Sequence, residues 1–315
     1  MSTLTKAPQT EIIKAPTAPT IEEMMDICIS SLDVTPGSRA SYRRALKQYF
    51  IWIDKKGYRL QDMTRQNIIE YKEDLLASGM SPLSVGAYIG SVRIFYNWAE
   101  GYKLYPDITR GVKNPKRRQQ FKKQPLSADQ AKALLSHFDN GHLRDYAIVN
   151  LLLRTGLRTI EVVRADVGDI TYKGSQRVLL IHGKGRSSKD DFVVLTDKAF
   201  IPIAQYLEQR GRVAPTEPLF ASYSNNSKSK RLTTRTISYL AKEGLKAIGL
   251  PDKAYTAHSL RHTAAVTILR AGGSLETAQK TLRHTSSNTT QIYTATLDEE
   301  RRLANPGEAL IDNAF

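Results

Sequence analysis

The sequence predicts a mainly α-helical protein with a small β-sheet, arranged as an all-helical N-terminal domain followed by a mixed α/β domain. Apolar residues recur at helical spacing from about residue 20 to residue 110 and again after Thr234. Two short apolar runs, at residues 178–182 and 192–195, have the composition of strands. The length of 315 residues is enough for two domains of ordinary size.

The N-terminal domain is predicted over residues 20–110, after a disordered tail at 1–19 that is rich in Thr, Pro, Ala and Lys. Gly57 is placed to end its first helix, Thr64 to cap a second, and Ser81 to cap a third. One face of that first helix carries Tyr42, Leu46, Tyr49, Phe50 and Ile53. This pattern indicates a small all-helical bundle.

A basic linker is predicted over residues 111–125. It contains no acidic residue, and its cations are Lys113, Lys116, Arg117, Arg118, Lys122 and Lys123. Such a segment is either a solvated connection or a connection that also follows a phosphate backbone. The density of cations in an already basic chain favours DNA contacts.

The α/β domain is predicted over residues 126–302. Ser127 and Gln130 form a capping box, and an apolar helix is expected to follow and to end at Gly156. The two strands are joined by a basic turn at residues 183–189 that contains two glycines. The helical pattern after Thr234 is interrupted near Gly249 and again near Gly272.

The charge of the chain points to a polyanionic partner. Lys and Arg number 46 against 31 Asp and Glu, which gives a net charge of +15 and a pI near 9.7. Nucleic acid is the usual partner of such a protein. A membrane surface is the rival, but no apolar run approaches the ~20 residues that span a bilayer. A single cysteine, Cys28, and the lack of an apolar leader favour the cytoplasm and exclude an internal disulfide framework.

Cations, hydrogen-bond donors and one tyrosine recur at close intervals in the C-terminal third. Arg158 lies upstream, Arg261 is flanked by His258 and His262, and Tyr293 follows. Two arginines can grip one phosphate through paired N–H bonds, and a tyrosine can act as a covalent nucleophile. These residue types together indicate chemistry on a phosphodiester.

His258, Arg261 and His262 fall on one face of a helix. Two histidines four residues apart bind zinc in some metalloproteases, but Ser259 stands where those enzymes have glutamate, and Arg261 would repel a cation. No metal site is therefore expected. The alternative interpretation is structural: His258 would cap the helix, and His262 would be a hydrogen-bonded core histidine.

These blocks resemble the motifs of the tyrosine recombinases of the Xer and phage integrase superfamily. The resemblance is carried by residues 155–161 (TGLRTIE), 258–263 (HSLRHT), 282–286 (LRHTS) and 289–294 (TTQIYT). The Gly-Lys-Gly turn at residues 183–185 matches the position of the family's catalytic lysine. The five blocks occur in the family order.

The resemblance covers residues 125–297 by motif and the helical domain by layout. One departure is Arg283, because many members have glycine at that position; it adds a cation near the site. In the turn, Lys184 fits the family position better than Arg186 or Lys189.

The resemblance implies a core-type, SAM-like DNA-binding domain followed by a catalytic domain. It implies that Tyr293 attacks the phosphate, that Lys184 protonates the leaving oxygen, and that Glu161 supports the cationic residues. The implied catalytic set is Arg158, Lys184, His258, Arg261, His284 and Tyr293. No metal, ATP or other cofactor is expected.

The implied function is site-specific recombination of double-stranded DNA through a 3′-phosphotyrosine intermediate, by a homotetramer in the synapse. The tail at residues 303–315 would either dock on a neighbouring protomer or fold onto its own domain. A type IB-like topoisomerase and a DNA-binding regulator without cleavage activity are the alternatives. Chromosome dimer resolution, phage integration and transposition all fit the motifs equally well.

Overall fold

The computed structural model describes residues 19–116, 123–182, 188–224, 230–283, 297–298 and 302–312. The chain divides into two compact units, Met1–Gln119 and Gln120–Phe315. None of the helices within the described ranges is long and apolar enough to cross a membrane. The predicted N-terminal tail lies outside the described residues, apart from its last residue.

The first unit is helical, as the sequence predicted. Its helices are α1 (Ile21–Ser31), α2 (Pro36–Lys56), α3 (Arg65–Ala77) and α4 (Pro82–Gly101). The predicted boundaries are confirmed: Gly57 ends α2 with a φ of 71°, Thr64 forms a capping box with Asn67, and Ser81 caps α4. Cys28 is a fully buried core residue on α1, also as predicted.

Aromatic side chains fill the core of the first unit. The hydroxyl groups of Tyr49 and Tyr96 are 2.9 Å apart, which joins α2 to α4 by a buried hydrogen bond. The ring of Tyr71 on α3 lies 5.0 Å from that of Tyr49. Buried phenol oxygens are usually hydrogen-bonded, and Tyr49 and Tyr96 satisfy each other in this way. The Tyr49–Tyr96 bond therefore fixes the relative rotation of α2 and α4.

The ends of the predicted linker belong to the folded units. Val112 is buried in the first core, and its carbonyl accepts a bond of 3.1 Å from Arg93. At the other end, the Gln124 amide donates to the Ala254 carbonyl over 3.2 Å. Residues near both ends of the predicted linker, 111–125, are therefore held by hydrogen bonds to distant elements of their own units.

The second unit contains helices and a three-stranded antiparallel sheet of order β1-β2-β3. Its strands are β1 (Ile170–Lys173), β2 (Gln176–Ile181) and β3 (Asp191–Val194). Its helices are α5 (Ala128–Asp139), α6 (Leu143–Thr155), α7 (Thr159–Arg164), α8 (Asp197–Arg210), α9 (Thr234–Ala247), α10 (Ala257–Arg270), α11 (Leu275–Leu282) and α12 (Gly307–Asp312).

Two predictions for this unit were wrong. The single helix expected to end at Gly156 is two helices, because the chain turns at Gly141, whose amide donates to the Phe138 carbonyl over 3.0 Å. Strand β1 was not predicted, since four residues with two exposed positions give too short a pattern. The turn between β1 and β2 uses Gly174 with a φ of 59°, which is typical of a tight hairpin.

Helix α6 lies at the centre of the second unit, where it packs against α5, α8 and α10. It ends at Gly156, which has a φ of 60°. A Cβ atom on Gly156 would lie 2.4 Å from Cδ2 of Leu282 and 3.3 Å from Cβ of Ala264. Two separate constraints therefore require glycine at residue 156: the left-handed backbone conformation and the close approach of α10 and α11.

We expect Gly156→Ala to lower the free energy of unfolding by about 2–4 kcal/mol, from left-handed backbone strain and overpacking together. Gly249→Ala is the matched control, since Gly249 has a similar φ of 81° but a Cβ atom there would meet nothing within 4 Å. That control should cost only about 1 kcal/mol. Urea unfolding of both variants measures the difference, and equal losses would refute the packing argument.

Candidate active site

The first motif places Arg158 at the start of α7, two residues after the end of α6. Glu161 reaches back to it with both carboxylate oxygens. Its Oε2 accepts from the Arg158 amide over 2.7 Å, and its Oε1 accepts from Nη1 of Arg158 over 2.9 Å. The Arg158 side chain is 33% exposed while that of Glu161 is 1% exposed. Glu161 thus holds Arg158 from beneath and leaves part of the guanidinium at the surface.

Glu161 is a buried carboxylate that remains ionised. Burial acts to raise its pKa, but the positive charges of Arg283 and Arg158, together with hydrogen bonds from Arg158, lower the pKa below its ordinary value. The Arg283 bond is short, at 2.8 Å between Nη2 and Oε2. Glu161 therefore orients arginines and is not placed to accept a proton.

The second motif lies on α10, which begins with a capping box between Thr256 and Ser259. Arg261 follows one turn later and is 1% exposed. Its Nη1 donates to the Gly156 carbonyl, and its Nη2 donates to the Leu282 carbonyl. One guanidinium therefore joins the first, second and third sequence motifs.

His258 is exposed on the first turn of α10. Loss of surrounding water lowers its pKa, and the positive charges of Arg261, Arg158 and Lys123 lower it further. The imidazole is consequently neutral at pH 7 and able to accept a proton. The capping alternative for His258 is wrong, because Thr256 occupies the N-cap of α10.

His262 is a core histidine, which was the favoured interpretation of its position. It is 4% exposed, and its Nδ1 lies 3.0 Å from the carbonyl oxygen of Lys123. Burial lowers its pKa to about 4, although the contact with Lys123 opposes that shift. A neutral His262 therefore anchors the segment that enters the second unit.

Lys189 is bound in an ionic cluster at the base of the β2–β3 turn. Its Nζ lies 2.8 Å from Oδ2 of Asp166 and 2.7 Å from Oδ1 of Asp169. Asp166 also binds Arg231. Burial acts to lower the pKa of Lys189, but the hydrogen bonds that Lys189 donates to both aspartates raise it overall. A lysine held in this way is a weak acid, and it attaches the residues just before β3 to the segment that precedes β1.

Several predicted site residues lie outside the described residues, namely Lys184, His284, Tyr293, Arg117, Arg118 and Lys122. The structure brings Arg158, Glu161, His258 and Arg261 together. Lys113 and Lys116 are exposed in the first unit. Within the described ranges, no three His, Cys, Asp or Glu side chains form a group that could hold a metal ion.

Sequence reasoning missed the partners of two cations. Arg283 was predicted only as an extra charge, and its contact with Glu161 had no local signal. Part of the arrangement of Asp166 and Asp169, which bind Lys189, could have been predicted. The two aspartates have the spacing of a capping box, and they form one.

Comparison with known proteins agrees with the motifs. The phage integrase family matches residues 124–300. The tyrosine recombinase XerD of Staphylococcus epidermidis is 31% identical over 286 residues, which cover 87% of this chain and 92% of that protein. XerD of Pseudomonas putida is 29% identical over 285 residues, covering 88% and 92%. XerC of Caldanaerobacter subterraneus is 35% identical over 226 residues, covering 69% of this chain and 60% of that protein.

Solved structures share the fold. The site-specific recombinase XerH, in a post-cleavage complex with palindromic difH substrate, has a TM-score of 0.73 at 18% identity and covers 91% of this chain and 84% of that one. A lambda integrase tetramer bound to a Holliday junction has a TM-score of 0.66 at 16% identity, covering 88% and 78%. With the family match spanning the whole set of motifs, this chain belongs to the phage integrase family and is a relative of the Xer tyrosine recombinases.

Proposed function

We propose that this protein is a site-specific DNA recombinase that cleaves and rejoins strands through a 3′-phosphotyrosine, without metal or ATP. The observation that carries the proposal is the buried Arg261 guanidinium, which binds Gly156 and Leu282 and so assembles the motifs around one cationic centre. The relatives that match nearly the whole chain are tyrosine recombinases. DNA is the polyanion that the net charge of +15 suits.

Tyr293 is the proposed nucleophile. A free phenol has a pKa of about 10, so only about 0.1% is ionised at neutral pH. Its oxygen forms a bond to phosphorus as the bond from phosphorus to the 5′-oxygen breaks. The phosphate gains negative charge in between, and the fixed guanidinium groups of Arg158 and Arg261 stabilise that charge; the loss of one such donor typically costs ~3 kcal/mol.

Two protons move in this step. We assign acceptance of the tyrosine proton to His258, whose lowered pKa keeps it neutral beforehand. Lys184 is the proposed donor to the leaving 5′-oxygen, and His284 is a proposed second ligand of the phosphate. A 5′-hydroxyl from another strand can then attack the phosphotyrosine, so the bond energy is retained and no ATP is needed.

The first unit is the proposed core-type DNA-binding domain, with Lys113 and Lys116 as exposed phosphate contacts. The linker cations Arg117, Arg118, Lys122 and Lys123 are proposed to continue that path. We also propose a tetrameric synapse in the cytoplasm. In the tail, Leu303 is 76% exposed and Ile311 is 58% exposed, which suits docking on a neighbouring protomer.

A type IB-like topoisomerase or a non-cleaving regulator would share parts of this site. The relatives do not favour either alternative, since they are named as recombinases. A duplex nicked near the scissile phosphate distinguishes them. A recombinase traps a covalent adduct only at its selected site, a topoisomerase traps it at many sites, and a regulator traps none.

We expect Tyr293→Phe to abolish covalent protein–DNA adducts, because it removes only the attacking oxygen and keeps the ring. Binding to duplex DNA should remain within about twofold, since one hydroxyl contributes little to a phosphate-dominated affinity. Adducts are counted on a denaturing gel after incubation with nicked duplex. Adducts that persist in this variant would show that another residue is the nucleophile.

Lys184→Ala should slow cleavage on the order of 10²–10⁴-fold, which is the usual contribution of a general acid. A substrate with a 5′-bridging sulfur has a better leaving group, and cleavage of that substrate should be largely restored.

Lys189→Ala is the matched control for Lys184. It leaves Asp166 and Asp169 without their shared cation, so it should lower the melting temperature without sulfur-specific rescue. If the sulfur substrate restored cleavage by Lys189→Ala and not by Lys184→Ala, Lys189 would be the general acid instead of Lys184.

Adduct formation should be unchanged in excess EDTA, because arginines of the protein supply the positive charge at the phosphate. The measurement is the single-turnover rate on nicked duplex with EDTA and with Mg²⁺. A strict requirement for the added metal would contradict the proposed mechanism.

A further inference from the structure

Arg283 has a backbone conformation that an arginine seldom adopts. It follows the last residue of α11 with a φ of 55° and a ψ of 46°, in the left-handed region. Lys103 is the other non-glycine residue with positive φ within the described ranges, at 56°. A glycine at either position would avoid the steric cost. An arginine at this turn therefore needs compensation from its side chain.

The Arg283 side chain is 6% exposed and lies among acceptors. Its Nη2 donates to Oε2 of Glu161 over 2.8 Å, and its Nη1 donates to the carbonyl of Thr281 over 2.9 Å. Its Nε is 3.9 Å from Oδ2 of Asp191 on β3. The main contact is thus with the buried carboxylate that also holds Arg158.

Glu161 lies between two arginines, with Arg158 on Oε1 and Arg283 on Oε2. Two arginines and one glutamate leave a single net positive charge, while the carboxylate of Asp191 lies farther away, 3.9 Å from Nε of Arg283, and is 33% exposed. An Arg158–Glu161 pair alone would be neutral, and its field at a nearby phosphate would be weaker. Arg283 consequently neutralises the charge of Glu161, so the positive charge of Arg158 can act on a nearby phosphate.

The same contacts fix the chain just before His284. Arg261 binds the Leu282 carbonyl, and Glu161 binds the side chain of the next residue, Arg283. Two consecutive residues are thereby attached to α10 and to α7. The point from which the chain continues to His284 is set by the two elements that carry Arg261 and Arg158.

We infer that Arg283 is a positioning residue of the cleavage reaction: it holds Glu161 so that Arg158 is oriented while the cluster keeps a net positive charge. The inference rests on the proposed recombinase function. Arg283 forms its short ion pair with Glu161, so its effect passes through Glu161 to Arg158.

The test is Arg283→Gly in the full chain, because glycine fits the φ of 55° without strain. Single-turnover adduct formation on nicked duplex should slow about 10- to 100-fold, the range expected for loss of a charged hydrogen bond. DNA affinity should stay within about twofold. Lys103→Gly in the first unit is the matched stability control, since it relieves a similar φ of 56°.

The pH profile separates positioning from mere stability. The charged groups against Glu161 are Arg158 on α7 and Arg283 after α11, and Asp191 faces Arg283 from β3. With Arg283 removed, the pKa of Glu161 should rise, because Arg283 is the largest charge that lowers it. Cleavage by Arg283→Gly should then fall at a higher pH on the acid side than cleavage by the parent.

Two further variants complete the test. Arg283→Lys keeps the charge and should restore part of the rate. Glu161→Gln should slow cleavage more in the parent protein than in the Arg283→Gly variant. In the double variant, the loss of cleavage at the acid side of the pH profile should no longer be shifted to higher pH, because residue 161 no longer titrates. Such non-additivity is the signature of residues that act as one unit.

The outcomes distinguish the two levels of the proposal. A parent that forms no adduct refutes the proposed function and, with it, the role of Arg283. A parent whose adduct depends on Tyr293, with Arg283→Gly equal to it in rate and pH profile, overturns the role of Arg283 alone. Equal slowing of both backgrounds by Glu161→Gln would also overturn it.

Discussion

A buried arginine with two backbone partners determines how the site is assembled. Arg261 is 1% exposed, and burying an unpaired cation would be prohibitive. Its partners are the carbonyls of Gly156, at the C-terminus of α6, and Leu282, at the C-terminus of α11. The last carbonyls of a helix lack intrahelical donors and carry the negative end of its dipole. Two helix termini thus stabilise one positive charge, and the requirement for glycine at residue 156 follows from their convergence.

Two ion-pair clusters of the second unit differ in their acidic partners. Arg158 and Arg283 share one buried carboxylate, Glu161, so positive charge exceeds negative charge at the site. Lys189 and Arg231 are bound by aspartates and secure the segments next to the sheet. Burial lowers the pKa of His258, and the charges of Arg261, Arg158 and Lys123 lower it further. Burial also acts to lower the pKa of Lys189, but its hydrogen bonds to Asp166 and Asp169 raise that pKa overall.

Local sequence patterns predicted most of the helices and strands, but they could not predict contacts between residues that are distant in the sequence. Gly57 predicted the C-terminus of α2, and Ser81 predicted the N-terminus of α4, because helix caps are encoded within a few residues. The spacing of His258, Arg261 and His262 predicted that these residues share a helix, and that helix is α10. The Arg283–Glu161 bond, in contrast, joins residues 122 positions apart, and the contact of His262 with Lys123 joins residues 139 apart. No periodicity of 3.6 or 2 residues contains such information, so these contacts emerge only from the packed structure. The break between α5 and α6 was missed although Asn140 and Gly141 are a local turn signal, because the helical pattern resumes at once at Leu143.

Fixing arginines within the protein has a consequence for catalysis. A flexible cation would lose side-chain entropy when it met the phosphate, and water would reorganise around it. Arg261 is held by carbonyls and Arg158 by Glu161, so much of that ordering is complete once the second unit has folded. The groups then differ little between the free and the reacting protein. The two guanidinium groups stabilise the charge that develops on the phosphate in the transition state. They therefore lower the activation barrier and not merely the free energy of the bound state.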